Sequence, residues 1–279
     1  FRTTVIDRFI GDYENGRTPN PCIDCNRHLK FDKLFQRAKE LGFDYVVTGH
    51  YARIEYDEKS GRYLLKKALD DTKDQSYVLY SMTKEQLAHT RFPLGALHKT
   101  EVREIAEQNG FVNARKHDSQ DICFVQHGTY ADFIKKTTGK DYPAGNFVDA
   151  AGNVLGRHKG IIFYTVGQHK GLGISSEEPW YVKEVRPEDN TVVLCRSEEL
   201  FTSVLEAADV NLISVDRIDA PMRVCAKVRY RQKEQPATVT QLENGHIRVE
   251  FDEPQRAITK GQAVVLYDGD IVVGGGTIV

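Results

Sequence analysis

Apolar residues in the first third of the chain recur at helical spacing and then form a short unbroken run. Residues 29–41 carry apolar side chains with the period of an α-helix, and Gly42 is suited to end that helix. Residues 43–48 predict a buried strand, and a second helix is expected to be capped by Thr100 and to end at Gly110. Helices that alternate with strands in this way predict a parallel α/β sheet.

After about residue 124 the helical pattern fades and β-branched residues and glycines become frequent. Residues 149–152 predict a hairpin turn, and the chain beyond about Ala208 is almost entirely strand-like. Asn244-Gly245 and Asp268-Gly269 are strong hairpin signals because these residue types accept positive φ angles. A small closed β-barrel is predicted from the strands at residues 223–230, 237–242, 247–251, 263–267 and 271–273.

The composition is that of an ordinary globular protein. The 279 residues are 40% hydrophobic and 28% charged, a length that suits two or three domains. No apolar run reaches the roughly eighteen residues that a membrane span needs, so no membrane association is expected. The start, Phe1-Arg2, has neither a secretion signal nor an initiator Met, which predicts a cytoplasmic protein and an internal start of the sequence.

Charge and cysteine content narrow the possible chemistry. The net charge is −2 and the isoelectric point is about 6.5, so any RNA contact has to come from local basic clusters. The chain has 5 cysteines, an odd number that predicts reduced thiols rather than structural disulfides. Catalytic or metal-binding roles are therefore favoured for at least some of these thiols.

The segment Pro19-Asn20-Pro21-Cys22-Ile23-Asp24-Cys25 is the sharpest local feature. We predict that Cys25 lies just before a helix, where free backbone N–H groups and the helix dipole favour the thiolate. Half of a structural zinc site is one alternative, but the sequence has no second Cys-x-x-Cys and no close His pair to complete it. A pair of inert buried thiols is the other alternative.

A third cysteine follows the α/β region in the segment Asp118-Ser119-Gln120-Asp121-Ile122-Cys123-Phe124. A cysteine beside Ile and Phe is usually part of a core, but the polar loop around Cys123 favours a position in the same crevice as Cys25. The remaining two cysteines, Cys195 and Cys225, lie in strand-like apolar runs, and we interpret them as core residues.

Three further segments combine positive charge with polar, glycine or aromatic residues. Lys73-Asp74-Gln75 follows an acidic pair, residues 167–173 are rich in glycine, and Arg229-Tyr230-Arg231 joins two cations to an aromatic ring. The last arrangement suits phosphate contact together with base stacking. Taken singly, each of these segments is more often a solvated surface.

Together these motifs resemble one family, the tRNA-specific 2-thiouridylases of the MnmA/TrmU type. The match extends over essentially the whole chain. It is carried by Gly16-Arg17-Thr18-Pro19-Asn20-Pro21 with Cys25-Asn26, Thr48-Gly49-His50-Tyr51, Lys73-Asp74-Gln75-Ser76-Tyr77, Gly167-Gln168-His169-Lys170-Gly171-Leu172-Gly173 and Lys227-Val228-Arg229-Tyr230-Arg231, with Asp121-Ile122-Cys123-Phe124 between them.

The resemblance implies three domains. Residues 1–125 would form part of an adenine-nucleotide α-hydrolase domain, a Rossmann-like α/β domain of the PP-loop ATP pyrophosphatases. Residues 126–205 would form a small mixed central domain that binds tRNA, and residues 206–279 a C-terminal β-barrel.

The resemblance also implies a tRNA-uridine 2-sulfurtransferase. ATP, with Mg²⁺, would adenylate O2 of the wobble uridine in tRNAs such as those for Lys, Glu and Gln, and sulfur from a persulfide-carrying donor protein would replace the activated oxygen. Cys123 would carry the persulfide, and Cys25 would release the sulfur and end in a disulfide with Cys123. The other implied contacts are Asn20, Pro21 and Cys22 to the target base, Gly49 to ATP, and His50, Lys73, Asp74, Gln75, Arg229, Tyr230 and Gln262 to tRNA.

Two departures from the family pattern leave alternatives open. The phosphate-binding loop of the form Ser-Gly-Gly-x-Asp-Ser occurs nowhere in the sequence, so the chain alone is expected to be inactive, and a non-catalytic tRNA-binding fragment is the competing interpretation. Cys22 stands where some members have Asp, and three thiols could instead hold a [4Fe–4S] cluster through Cys22, Cys25 and Cys123. A related enzyme that thiolates another base is a further alternative, which the match to the wobble-uridine family disfavours.

Overall fold

The structure is a computed structural model that describes residues 1–116, 122–126 and 128–279. Its α-helices are α1 (Asp7–Glu14), α2 (Pro21–Cys25), α3 (Leu34–Glu40), α4 (Lys84–Ala88), α5 (Lys99–Gln108) and α6 (Tyr130–Thr138). Its strands are β1 (Val46–Val47), β2 (Arg53–Asp57), β3 (Arg62–Lys66), β4 (Thr90–Arg91), β5 (Gly145–Val148), β6 (Val154–His158), β7 (Tyr181–Arg186), β8 (Thr191–Cys195), β9 (Phe201–Leu212), β10 (Met222–Lys227), β11 (Gln235–Gln241), β12 (Ile247–Arg256), β13 (Ala263–Asp268) and β14 (Ile271–Ile278).

One helix carries the first two cysteines and continues well beyond them. It begins at Pro21, where the side chain of Asn20 accepts a hydrogen bond from the backbone N–H of Cys22 at 3.2 Å. A π-helical segment, Asn26–Lys33, joins α2 to α3, and Gly42 follows the last turn with a φ of +75°. The prediction that Cys25 precedes a helix is therefore wrong, because the helix begins four residues earlier, at the Asn-Pro capping signal.

The parallel α/β sheet is much smaller than predicted. Among the described residues it consists of β1 and β4, which pair in parallel over two residues each. Residues 43–48 do not form a buried strand: Phe43 is 65% exposed and Val47 is 61% exposed, while Val46 is buried. The apolar faces of α3 and α5 contain no buried residue, because no further strand of the described chain covers them.

The second predicted helix begins two residues earlier than a cap at Thr100 would place it. His98 is its N-cap, and its backbone N–H donates to the carboxylate of Glu101 at 2.6 Å. Gly110 ends this region with a φ of +68°, as predicted. The capping position differs because Glu101 occupies the third helical position only when His98 is the cap.

The middle of the chain forms a small sheet with strand order β6-β5-β8-β7. The turn predicted at residues 149–152 is confirmed: it joins β5 to β6, the Asp149 carboxylate accepts the backbone N–H groups of Ala151 and Asn153 at 2.9 Å, and Gly152 has a φ of +87°. Cys195 is buried in this sheet, as expected for a core thiol, whereas Cys225 lies half-buried on the barrel.

The C-terminal barrel is closed, as predicted, because β13 pairs with β10 on one side and with β14 on the other. The hydrogen-bonded ring runs β13-β10-β11-β12-β9-β14. The sequence pattern missed most of β9, which begins at Phe201, and the hairpin of β2 and β3, which extends the barrel sheet through a pairing of Ile271 with Lys66. The barrel and the N-terminal region consequently share one core, in which Phe31, Tyr77 and Leu79 lie together with Val265 and Tyr267.

Candidate functional site

A single large cleft of about 2370 Å³ collects every residue that the sequence analysis selected for catalysis or binding. Its walls come from the helix start at Pro21, the loop after β1, the segment around Cys123, the glycine-rich loop at residues 167–171 and the barrel. The predicted residues that line it are Asn20, Pro21, Cys22, Cys25, Gly49, His50, Lys73, Asp74, Gln75, Cys123, Arg229, Tyr230 and Gln262. Residues 118–121 of the third cysteine motif lie outside the described residues.

Cys22, Cys25 and Cys123 all line this cleft as free thiols. Cys22 and Cys123 are exposed and Cys25 is half-buried, so the interpretation as inert buried thiols is wrong. Burial raises the pKa of the Cys25 thiol above its ordinary value, and the Lys30 ammonium is the largest opposing influence. Burial also raises the pKa of Cys22, with Cys123 and Cys25 adding to the effect. The start of the helix therefore does not bring the pKa of either thiol below its ordinary value. A nearby cation such as Lys30 is needed to stabilise the thiolate form.

The three thiols do not form a ready metal centre. In residues 1–116, 122–126 and 128–279, no group of three His, Cys, Asp or Glu side chains is arranged to hold a metal ion. A [4Fe–4S] cluster held by Cys22, Cys25 and Cys123 would need the three sulfurs to converge on one cube. We assign no step to such a cluster, and this alternative stays a prediction.

His50 is held at the edge of the cleft between two polar side chains. Its Nδ1 lies 2.7 Å from Thr48 Oγ1 and its Nε2 lies 3.3 Å from the Nζ of Lys30. An ammonium can only donate, so Nε2 accepts from Lys30 and Nδ1 carries the proton that is donated to Thr48. Burial and the neighbouring Lys30 charge lower the pKa of His50 to about 4. The imidazole is neutral at physiological pH, and at 7% exposure it has little surface for contact with tRNA.

This depressed pKa predicts an acid-sensitive fold. Unfolded His50 would bind a proton near pH 6.5 and folded His50 only near pH 4, so the unfolded state binds more protons between these values and stability falls as the pH falls. We expect the unfolding free energy to drop by up to about 3 kcal/mol across this window. Urea titrations at a series of pH values, compared with a His50→Gln variant, isolate the contribution: identical pH slopes for the two proteins would contradict it.

Two of the predicted tRNA contacts organise the loops around His50. The backbone N–H of Tyr51 donates to the side-chain oxygen of Gln75 at 2.9 Å, and the backbone N–H of Gln75 donates back to the carbonyl of Tyr51 at 2.8 Å. The Asp74 carboxylate accepts from the backbone of Ala68 at 2.9 Å and from the hydroxyl of Ser76 at 2.7 Å. These bonds fix the 73–76 loop against the loop that carries Gly49 and His50.

Gln262 connects the barrel to the segment that precedes the cysteines. Its side-chain nitrogen donates to the carbonyls of Thr18 at 2.8 Å and Pro19 at 3.2 Å, and the backbone N–H of Thr18 donates to the backbone carbonyl of Lys260 at 2.9 Å. The barrel thereby positions Asn20 and Pro21 at the mouth of the cleft. This positioning role is one that the sequence pattern did not indicate.

Arg229 has a similar bridging position. Its guanidinium donates to the carbonyls of Val166 at 3.3 Å and Ala257 at 2.9 Å and to the hydroxyl of Thr259 at 3.0 Å. It thus joins the barrel to the loop that continues into Gly167, while still lining the cleft. Tyr230 is 37% exposed and stands next to it.

The cleft is basic although the chain as a whole is slightly acidic. Nine lysine and arginine side chains and four carboxylates occur along its described lining. The cations are Lys30, Lys67, Lys73, Lys99, Lys159, Lys227, Arg229, Arg231 and Lys233. Most of them were missed at the sequence level because they are scattered along the chain and only folding brings them together.

The fold and the cleft define the class of protein: a mainly helical N-terminal region with a small parallel sheet, a small central sheet and a β-barrel, around one basic, thiol-containing cleft. Family models match these parts in order, as a tRNA methyl transferase HUP domain over residues 1–127, a tRNA methyl transferase PRC-barrel domain over residues 131–196 and an aminomethyltransferase beta-barrel domain over residues 202–278.

Comparison with individual proteins identifies the family. The tRNA-specific 2-thiouridylase MnmA of Clostridioides difficile is 54% identical over 278 residues, which are 100% of this chain and 77% of that protein. Its counterpart in Acetivibrio thermocellus is 52% identical with the same coverage, and the MnmA 1 of a Thermoanaerobacter species is 54% identical over 76% of its length. The chain belongs to the MnmA family of tRNA-specific 2-thiouridylases, a family of tRNA sulfurtransferases, which confirms the predicted resemblance.

No helix in the described ranges has both the length and the apolar character that crossing a bilayer requires.

Proposed function

We propose that this chain forms the tRNA-binding and sulfur-transferring part of an enzyme that converts the wobble uridine of tRNA into 2-thiouridine. One observation carries the proposal: three free cysteines line the same cleft as an excess of lysines and arginines. The cations can bind the phosphate groups of tRNA, and the thiols can carry and release the transferred sulfur. The relatives that match over the whole chain are named for this tRNA activity.

The proposed chemistry uses two of the cysteines. The terminal sulfur of a Cys123 persulfide attacks C2 of the uridine, whose O2 has been adenylated, and the adenylate oxygen leaves as AMP. The Cys25 thiolate then attacks the Sγ of Cys123, the S–S bond to the transferred sulfur breaks, and its electron pair stays on the thiouridine. A Cys25–Cys123 disulfide results, and an external thiol reductant restores both thiols before the donor reloads Cys123.

ATP supplies the adenylate that makes the uridine oxygen a leaving group. We assign Gly49 to the ATP site because it lies in the loop after β1, at the carboxyl end of a parallel strand. The 279 residues contain no Ser-Gly-Gly-x-Asp-Ser segment. ATP-dependent thiolation, with Mg²⁺ on the phosphates, is therefore expected from a protein that carries this loop ahead of Phe1 and not from residues 1–279 alone.

The partners follow from the same chemistry. The substrates are tRNAs with a wobble uridine, such as those for Lys, Glu and Gln, and the sulfur comes from a persulfide-carrying protein such as a cysteine desulfurase or a relay protein. Exposure of Cys123 in the cleft supports reloading by such a donor. We place this reaction in the cytoplasm, where thiols remain reduced.

The salt dependence of tRNA binding tests the assignment of the cleft. Arg229→Ala removes a cation from the cleft wall, so we expect weaker tRNA binding and a log K against log salt slope that is smaller by about one released counterion. Arg223→Ala is the matched control, because Arg223 is an exposed arginine of β10 that pairs with Asp252 and does not line the cleft. Filter binding or anisotropy between low and moderate salt gives both values.

An unchanged slope for Arg229→Ala, with the fold intact by circular dichroism, would show that Arg229 only joins the barrel to the 166–167 loop. A larger loss for Arg223→Ala than for Arg229→Ala would place the tRNA on the outside of the barrel and contradict the proposal.

A further inference from the structure

The π-helical segment after Cys25 changes which side chains share a face with the cysteines. In a regular α-helix, a residue five positions further on is rotated by about 140° around the axis and faces away. The segment Asn26–Lys33 is wound with i→i+5 hydrogen bonds, as seen where the backbone N–H of Leu34 donates to the carbonyl of Leu29. In this wider winding, Lys30 comes round to the side of Cys25, and both residues line the cleft.

The charge of Lys30 is held in place by a partner that does not neutralise it. Its ammonium lies 3.3 Å from Nε2 of His50, which is neutral, nearly buried and anchored by Thr48. A carboxylate in that position would neutralise the positive charge, whereas a neutral imidazole accepts a hydrogen bond and fixes the position of the ammonium without neutralising it. Within residues 1–116, 122–126 and 128–279, no carboxylate pairs with this ammonium, which lines the same cleft as Cys25.

We propose that Lys30 is a positioning residue for sulfur transfer, which directs a fixed positive charge towards the sulfur of Cys25 and so favours its thiolate form. The inference rests on the proposed function, in which Cys25 has to act as a thiolate. His50 has the supporting role of orienting the ammonium.

The other charges around Cys25 make this support necessary. Cys22 and Asp24 lie on the same helix as Cys25, and Cys123 lines the same cleft from the segment that precedes α6. Asp24 and Cys123 both raise the pKa of Cys25, as does burial. Lys30 and the amino group of Phe1 are the cations that lower it, and Lys30 has the larger effect.

The test measures the alkylation rate of Cys25 by iodoacetamide as a function of pH, with peptide mass spectrometry as readout. A Cys22→Ser background leaves Cys25 as the one thiol of the peptide 18–27. For Lys30→Met we expect the midpoint of the profile to rise by about one pH unit, which is roughly tenfold slower alkylation at pH 7. Lys30→Arg keeps the charge and should retain the parent profile to within about 0.3 units.

Lys33→Met is the matched control, since Lys33 belongs to the same π-helical segment but does not line the cleft. Coincident profiles for Lys30→Met and the parent, with both folded by circular dichroism, would overturn the proposal, and so would an equal shift in Lys33→Met. The assay needs neither tRNA nor ATP, so its failure is distinguishable from failure of the proposed thiolation.

Discussion

Replacing Cys25 or Cys123 by Ser is expected to lower tRNA thiolation by roughly a thousandfold or more, because in the proposed relay Cys123 carries the transferred sulfur and Cys25 attacks Cys123 to release it. Binding of tRNA should change by less than about twofold, since a serine hydroxyl occupies nearly the same space and carries no charge. The rate is measured as 2-thiouridine in digested tRNA by mass spectrometry, using a protein that carries the phosphate loop ahead of Phe1.

Two other cysteines provide the controls for this experiment. Cys225→Ala, on the barrel and outside the cleft, should keep the parent rate within about threefold. Cys22→Asp should retain substantial activity, because the two-cysteine relay does not use the Cys22 sulfur. A Cys25→Ser variant that thiolates at the parent rate would contradict the relay, as would loss of all activity in a folded Cys22→Asp variant.

A large effect on stability is expected at Gly95, which packs against the segment that follows His50. Gly95 lies in the 3₁₀ turn Pro93–Ala96, and a Cβ atom there would stand 1.7 Å from the carbonyl oxygen of Ala52. Ala52 is fully buried and follows directly after His50 and Tyr51, so neither backbone can move without displacing the cleft. We expect Gly95→Ala to destabilise the protein by about 3–5 kcal/mol.

Gly11→Ala is the matched control. Gly11 lies in the middle of α1, and an added Cβ would meet nothing within 4 Å. Alanine should therefore stabilise the protein by roughly 0.5–1 kcal/mol through its better helix propensity. Urea unfolding of both variants decides the point: a Gly95→Ala midpoint close to that of the parent would mean that the turn can separate from Ala52.

The barrel could be predicted because residues close together in the sequence determine its strands and turns. Alternating apolar residues and the turns at Asn244-Gly245 and Asp268-Gly269 define neighbouring strands that pair with each other. The hairpin of β2 and β3 was not predictable, because its place in the sheet depends on a pairing of Lys66 with Ile271, some two hundred residues away in sequence. Long-range pairings of this kind leave no periodic signal in either segment.

The residues of the candidate site were predicted better than their physical roles. Resemblance selected Asp74, Gln75 and Gln262, and the structure places all three in the cleft, where their side chains hold loops together. Their roles as tRNA contacts stay predictions. Lys30 was missed because a regular α-helix would place it on a different face from Cys25. No sequence pattern indicates the π-helical winding that places both residues on the same side.

The proposed function requires that the wobble uridine of tRNA enters the cleft between Cys25 and Cys123. Photo-crosslinking of the chain to a tRNA with 4-thiouridine at the wobble position tests it without ATP or sulfur donor. We expect cross-links in the peptide 18–27 or in the segment around Cys123, and their loss when unmodified tRNA competes. Cross-links confined to the outer wall of the barrel around Arg223, or to the exposed face of α5, would contradict it.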